Sequence, residues 1–109
     1  MLKQGLGVIV HTAARPGLSG RANMAAYSVS KAAVIRLTES LSAEYKDLGV
    51  RVNCIIPGTL DMPQNRADMP EAETSRWVKP KSLAKVILFL ASEDAQDIHG
   101  AAIPVYRRT

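Results

Sequence analysis

Two short β-branched runs, Gly7 to Thr12 and Val50 to Ile56, flank one long stretch of helical periodicity, and this arrangement constrains the fold most. A hairpin of a few residues can join antiparallel neighbours. Parallel neighbours need a crossover of about a dozen residues or more, usually a helix. Strand, helix, strand in this order therefore predicts parallel strands with the helix packed on one face of the sheet.

The helix is expected from Ala25 to about Leu48. Ala33, Leu37, Leu41 and Tyr45 recur every four residues, with Val34, Thr38 and Leu48 alongside, and Gly49 is placed to end it. Ahead of the helix, Ala13 to Asn23 contains Pro16, Gly17, Ser19 and Gly20 and reads as a loop. The second strand runs into a turn at Pro57-Gly58. From Thr59 to Lys79 periodicity is lost and prolines stand at 63 and 70. Irregular segments of this length tend to be lids over a site or links between parts.

Pro80, with Ser82 as a cap, opens a second helix whose Leu83, Val86, Ile87, Leu90 and Ala91 share a face. Gly100 precedes a last strand, Ala101 to Tyr106, and the tail Arg107-Arg108-Thr109 is expected to fray. The fold class is α/β, with three parallel strands and two main helices. That is a small sheet for this architecture, and residues 1–109 read as a single partial domain cut from something larger.

Composition removes several function classes. Apolar residues make up 47% and charged residues 22%, which suits a globular domain and excludes a disordered tail. The net charge of +4 is spread among acids without a basic block, so no nucleic-acid partner is expected. Cys54 is the only cysteine; it cannot form an internal disulfide and fits a reducing compartment. The apolar run Val8 to Val10 is too short for a signal peptide, and nothing reaches membrane-spanning length. A cytoplasmic location without membrane contact is the expectation. His11, His99 and Cys54 lack metal-ligand spacing, so no metal site is expected.

Chemistry concentrates at Tyr27-Ser28-Val29-Ser30-Lys31. Residues four apart lie one turn from each other on one helical face. A phenol titrates near about pH 10, and an ammonium beside it favours the phenolate, which makes a tyrosine usable as an acid or base. A bare Y-x-x-x-K also occurs in ordinary amphipathic helices. The surrounding sequence decides between the two. Ala25 to Val34 closely resembles the active-site helix of the short-chain dehydrogenase/reductase family, and Gly49 to Gly58 resembles its following strand and Pro-Gly turn. Ala84 to Ser92 and Gly100 to Val105 match that family's last helix and last strand.

The resemblance implies the C-terminal part of a Rossmann-type doubly wound sheet and an NAD(P)H cofactor, with no means of choosing NADH or NADPH. Tyr27 would be the proton donor to a small-molecule substrate, and Lys31 would hold the nicotinamide ribose. Pro57, Gly58 and Thr59 would line the nicotinamide pocket. The family's catalytic serine stands thirteen positions before the tyrosine, where this chain has Ala14, which has no hydroxyl. Thr12, two residues away, either substitutes for it or is a strand-end threonine, the plainer reading.

Among family members, dihydropteridine reductases share the alanine. Their lid resembles Thr59 to Arg66, Met69 to Ala72 and Ser75 to Trp77 here, although Met62 replaces a usual threonine. Ala14 and Trp77 are accordingly expected on the substrate side, for a pterin, a quinone or a carbonyl compound. Trp77 would either stack on a flat pterin or anchor the lid. Asp61 and Asn65 either hydrogen-bond the substrate or serve as polar caps of the lid, the plainer reading.

The glycine-rich turn that binds a dinucleotide's pyrophosphate has no counterpart here; Gly5 and Gly7 precede a strand instead of following one. A chain lacking that half would expose a sheet edge at Val8 to Val10. At roughly 25 cal/mol per Å² of apolar surface, such losses rival a domain's whole stability. Self-association, through the helix that the family uses in dimer packing, is therefore expected. Two readings follow: a reductase whose isolated 109-residue chain is inactive, or a non-catalytic relative acting as an association module.

Overall fold

A computed structural model describes residues 1–109. Strand β1 (Gly7–Thr12) leads to helix α1 (Ala25–Tyr45), strand β2 (Val50–Pro57), a short helix α2 (Pro63–Asp68), helix α3 (Pro80–Ala91) and strand β3 (Ala102–Val105). The sheet has the order β1-β2-β3, and all its pairings are parallel. Gly7 pairs with Val50 and Thr12 with Ile55 on one side of β2; Cys54 pairs with Ala102 and Pro57 with Val105 on the other. The expected α/β architecture is present, with β1 and β3 as its edges. No helix is long and apolar enough to cross a membrane.

Successive side chains of a strand face opposite ways, and β2 sorts its contacts accordingly. Cys54 and Ile56 join Ala13 and Ile35 in a cluster beneath α1. Ile55 joins Leu90 and Ala95 on the other face, with Val10, Leu83, Val86, Ile87, Ile98 and Ile103 packed around them. The expected face of α3 is thus the one that meets the sheet, apart from exposed Ala91. The polar residues on that face are bonded. Arg51 donates to the carbonyls of Leu90, Ser92 and Ala95 at 2.8–2.9 Å, which ties down the end of α3. Fully buried Asn53 donates to the Ile98 carbonyl and accepts from the Ala101 N–H, both at 2.9 Å.

Helix α1 departs from its sequence pattern. Its buried residues are Ser28, Ile35, Thr38 and Ser42, while Ala33 and Leu37 of the four-residue repeat are exposed. Small hydroxyl residues let the helix approach the sheet closely, and Thr38 bonds inward. The Thr38 hydroxyl donates to the Val34 carbonyl at 2.8 Å and accepts from His11 Nδ1 at 3.0 Å. Gly49, at φ +84°, ends the helical segment in the left-handed conformation that glycine tolerates.

Three boundary expectations change. Ser82 caps nothing; α3 begins at Pro80 after Lys79, and no side chain bonds its first turn. Proline suits that position because its missing N–H would have no helical partner there. Residues 59–79 close on themselves: Leu60 bridges Val78, the Asp61 N–H donates to the Val78 carbonyl and the Val78 N–H to that of Thr59, both at 2.8 Å. Nor does the tail fray. Arg76 donates twice to the Arg108 carbonyl, and Arg107 donates to that of Ser75 at 2.8 Å. Arginine supplies several donors in one fork, which is how so short a tail is held.

Two predictions follow from this packing. Asn53→Ala strands a buried carbonyl and a buried N–H, so unfolding free energy falls by about 2–4 kcal/mol, read from the denaturant midpoint; a loss within error would show that these bonds do not hold β2. At the start of the lid, Arg66 donates to both carboxyl oxygens of Asp61 at 2.5 and 3.0 Å. These hydrogen bonds, with the charges of Arg66 and Lys79 adding, hold the Asp61 carboxyl below the usual range. A carboxylate with a depressed folded value favours the fold above its unfolded pKa and loses that contribution as pH falls through the folded value. The Asp61 carboxyl carbon, followed by NMR, therefore titrates at lower pH than in the Arg66→Ala variant.

Candidate functional site

In open parallel sheets, ligands bind beyond the carboxyl ends of the strands, where the chain leaves for its helices. Here β1 ends at Thr12 and β2 at Pro57, and a cleft of about 790 Å³ opens beside both. The loop after β1, the first turns of α1 and the turn after β2 wall it, with Asn65 and Met69 of the lid and Thr109 of the tail completing the lining. Gly17 packs that loop onto the helix. A side chain there would lie 2.7 Å from the Lys31 carbonyl carbon and 2.9 Å from the Ala32 nitrogen, so only glycine permits the approach.

Tyr27 and Lys31 both line the cleft. Tyr27 is 48% exposed, which leaves it open to a ligand. The Lys31 ammonium stands 5.8 Å from the centre of the Tyr27 ring and donates to the Thr12 carbonyl at 3.4 Å. This bond ties the end of β1 to the first turns of α1. Pro57, Gly58, Thr59 and Ala14 line the same cleft, as does Thr12. Ala14 is nearly buried and presents a methyl group where a hydroxyl was sought.

The donor set suits a nicotinamide nucleoside. An ammonium with one long protein contact keeps N–H groups for ribose hydroxyls, and the phenol of Tyr27 makes no hydrogen bond within the chain. Tyr27, Lys31 and the Pro57–Thr59 turn would hold that end of the cofactor.

Trp77 is placed elsewhere. It is only 6% exposed, does not line the cleft, and sits beside Val78 at the neck of the lid. Of its two expected uses, the structure contains the anchor. Asp61 lies outside the lining and is bonded by Arg66; Asn65 donates to the Leu60 carbonyl at 2.8 Å and also lines the cleft. Met62 is exposed and outside the lining. Burial pushes the Cys54 thiol pKa up, consistent with a core residue instead of a nucleophile. His11 is bonded to Thr38 and His99 to the Gln96 carbonyl, and no cluster of metal-ligating side chains exists.

The sequence reading missed Arg15, Arg21 and Asn23, all of which line the cleft beside Met69 of the expected lid. Each lies in an irregular segment with no periodicity to mark it. The one available signal was the position of Arg15, directly after Ala14.

Comparison with known proteins agrees with this geometry. The family model described as enoyl-(acyl carrier protein) reductase matches residues 1–106. The 2-(R)-hydroxypropyl-CoM dehydrogenase of Xanthobacter autotrophicus is 36% identical over 113 residues, covering 94% of this chain and 45% of that protein. A solved short chain dehydrogenase/reductase family protein superposes with a TM-score of 0.87 at 31% identity, covering 96% of this chain and 46% of its own. NAD+-bound xylitol dehydrogenase superposes at 0.85 with 26% identity, covering 98% and 50%. The chain spans about half the length of the relatives it matches. The Tyr27–Lys31 pair at the strand ends, the parallel sheet and these matches together assign the chain to the short-chain dehydrogenase/reductase family.

Proposed function

We propose that this chain is the catalytic half of an NAD(P)H-dependent oxidoreductase, with Tyr27 as the proton donor and Lys31 as its positioning partner. One observation carries the reading: Tyr27, Lys31 and the turn Pro57-Gly58-Thr59 open onto a single cleft at the carboxyl ends of β1 and β2. A reduced nicotinamide, when bound, supplies a hydride to the substrate. Tyr27 delivers its phenolic proton to the substrate atom that gains negative charge, and Lys31 stays fixed between the Thr12 carbonyl and the cofactor side of the cleft.

Ala14 narrows the substrate. Without a hydroxyl at this place, no side chain there polarises a carbonyl oxygen, so a reactive acceptor loses least. A quinonoid dihydropterin is such an acceptor, and the likeness of the lid to that of dihydropteridine reductases favours it over a quinone or a simple carbonyl compound. The buried position of Trp77 removes stacking from the argument and leaves the Ala14 wall and the lid sequence.

A second reading, an association module, is favoured by uncovered apolar surface. Val29 and Leu37 on α1 are 69% and 49% exposed, and Leu88 and Phe89 on α3 are 69% and 44% exposed. The outer edge of β1 is also unpaired. Such surface belongs against another chain or another part of the same protein. Both readings expect self-association, and they differ at the cofactor.

Calorimetric titration of the 109-residue chain with NADH and NADPH, with molar mass measured alongside, tests both. Binding of either nucleotide supports the oxidoreductase; a folded chain that binds neither is a fragment that needs its dinucleotide-binding half or a degenerate relative, and the completed protein below decides between these. In a protein completed by a dinucleotide-binding half, Tyr27→Phe lowers kcat by roughly a hundredfold or more while cofactor affinity stays nearly unchanged. An unaltered rate would take the proton-donor role from Tyr27.

A further inference from the structure

One side chain of the lid lines the cleft with half of its amide unused. Of the six residues of α2, only Asn65 lies in the lining. Its neighbours are exposed and paired elsewhere: Gln64 donates to Asp68 at 2.9 Å, and Arg66 is bonded to Asp61. Asn65 itself is half-buried.

The chemistry of its partner fixes which way the amide is turned. Asn65 donates to the Leu60 carbonyl at 2.8 Å. A carbonyl oxygen only accepts, so the atom against it is the NH2 end, and Oδ1 points away from Leu60. That oxygen accepts no hydrogen bond within the chain. The anchor is firm, because Leu60 bridges Val78 at the neck of the lid and its carbonyl also accepts from the Met62 N–H at 2.9 Å. An amide held at one end in a cleft wall presents the other as an acceptor in a set place.

The rest of the lining narrows the donor that this acceptor would meet. A positively charged ligand would face Arg15, Arg21 and Lys31, which can only donate. Met24 and Met69, 42% and 41% exposed, line the cleft as well, Met24 standing three residues before Tyr27 and so on its side of the helix. Thioether side chains adapt to flat and irregular apolar faces.

We infer that Asn65 determines specificity in this cleft: its Oδ1 accepts a hydrogen bond from an uncharged N–H or O–H group at the edge of a flat substrate. Calling that ligand the substrate rests on the oxidoreductase reading above; the acceptor itself does not. A site that receives a donor rejects the analogue lacking it, since the desolvated acceptor is then left without a partner. Tyr27 meets the reacting atom and Asn65 a second point away from it, and two fixed points orient a flat molecule in its plane.

The test uses the purified 109-residue chain at pH 7 and matched pairs of flat probes. Lumazine has ring N–H groups that 1,3-dimethyllumazine lacks, and catechol has hydroxyls that 1,2-dimethoxybenzene lacks. Affinities are measured by NMR, with the Asn65 side-chain amide resonances followed. In at least one pair the donor-bearing probe is expected to bind roughly tenfold tighter than its capped partner and to shift the Asn65 amide. The tighter of lumazine and catechol tells a ring N–H from a hydroxyl. Asn65→Ala removes the discrimination and leaves the capped probes unchanged, whereas a purely structural lid cap would weaken every probe alike. The Leu60 carbonyl keeps the Met62 N–H in that variant. Should it still misfold, the paired affinities and the Asn65 shift in the unaltered chain decide. Equal binding within both pairs, tighter binding without an Asn65 shift, discrimination that survives Asn65→Ala, uniform weakening, or no binding of any probe would overturn the inference. Titration with NADH and NADPH and turnover of the completed protein keep the two claims apart. Cofactor binding or turnover without donor selectivity defeats only the role of Asn65; donor selectivity in a completed protein that does neither defeats only the oxidoreductase reading.

Discussion

Everything in this fold leans on β2, the one strand with both edges paired and both faces covered. A strand so placed leaves little water for its polar side chains, and β2 carries two of them, half-buried Arg51 and fully buried Asn53, on the face toward α3. Each is bonded to backbone: Arg51 to the carbonyls that end α3, Asn53 to the turn that starts β3. Buried polar groups cost most when unpaired and specify geometry when fully paired. The same bonds that satisfy β2 therefore also set where α3 stops and where β3 begins.

Helix α1 meets the other face of β2 by a different device. Its inner face is built on Ile35 together with Ser28, Thr38 and Ser42, and its larger apolar side chains point outward. Small inner residues bring the helix near the sheet, and Gly17 brings the loop near the helix. These two close approaches carry Tyr27 and Lys31 to the strand ends, where the Lys31–Thr12 bond joins helix to strand. The outward apolar residues are a separate matter: their periodicity marks the helix without marking the core.

The far wall of the cleft is also fixed from a distance. Residues 59–79 close at a neck where Leu60 bridges Val78 beside buried Trp77, and Arg76 reaches from there to the tail. The tail in turn places Tyr106 under Arg15 and the Thr109 carbonyl beside it. A charge in the cleft is thus oriented by the last residues of the chain, nearly the full sequence away.

Periodicity, turn residues and the Y-x-x-x-K spacing are local signals, and what they determined held: the three strands, the two main helices, the Pro57-Gly58 turn and the pairing of Tyr27 with Lys31 on one face. Each depends on the geometry of a single element, which a sequence encodes within a few residues. Long-range choices were not legible. Which face of α1 is buried, whether Trp77 enters the cleft, whether the tail is tied, and which cations share a wall with Tyr27 all depend on partners tens of residues away. Arg15 and Tyr106 are 91 positions apart, and nothing local to either announces the other. The sequence by itself determined the elements and the placing of Tyr27 and Lys31 one turn apart; only tertiary structure decided what surrounds that pair, because packing and charge are properties of neighbours in space.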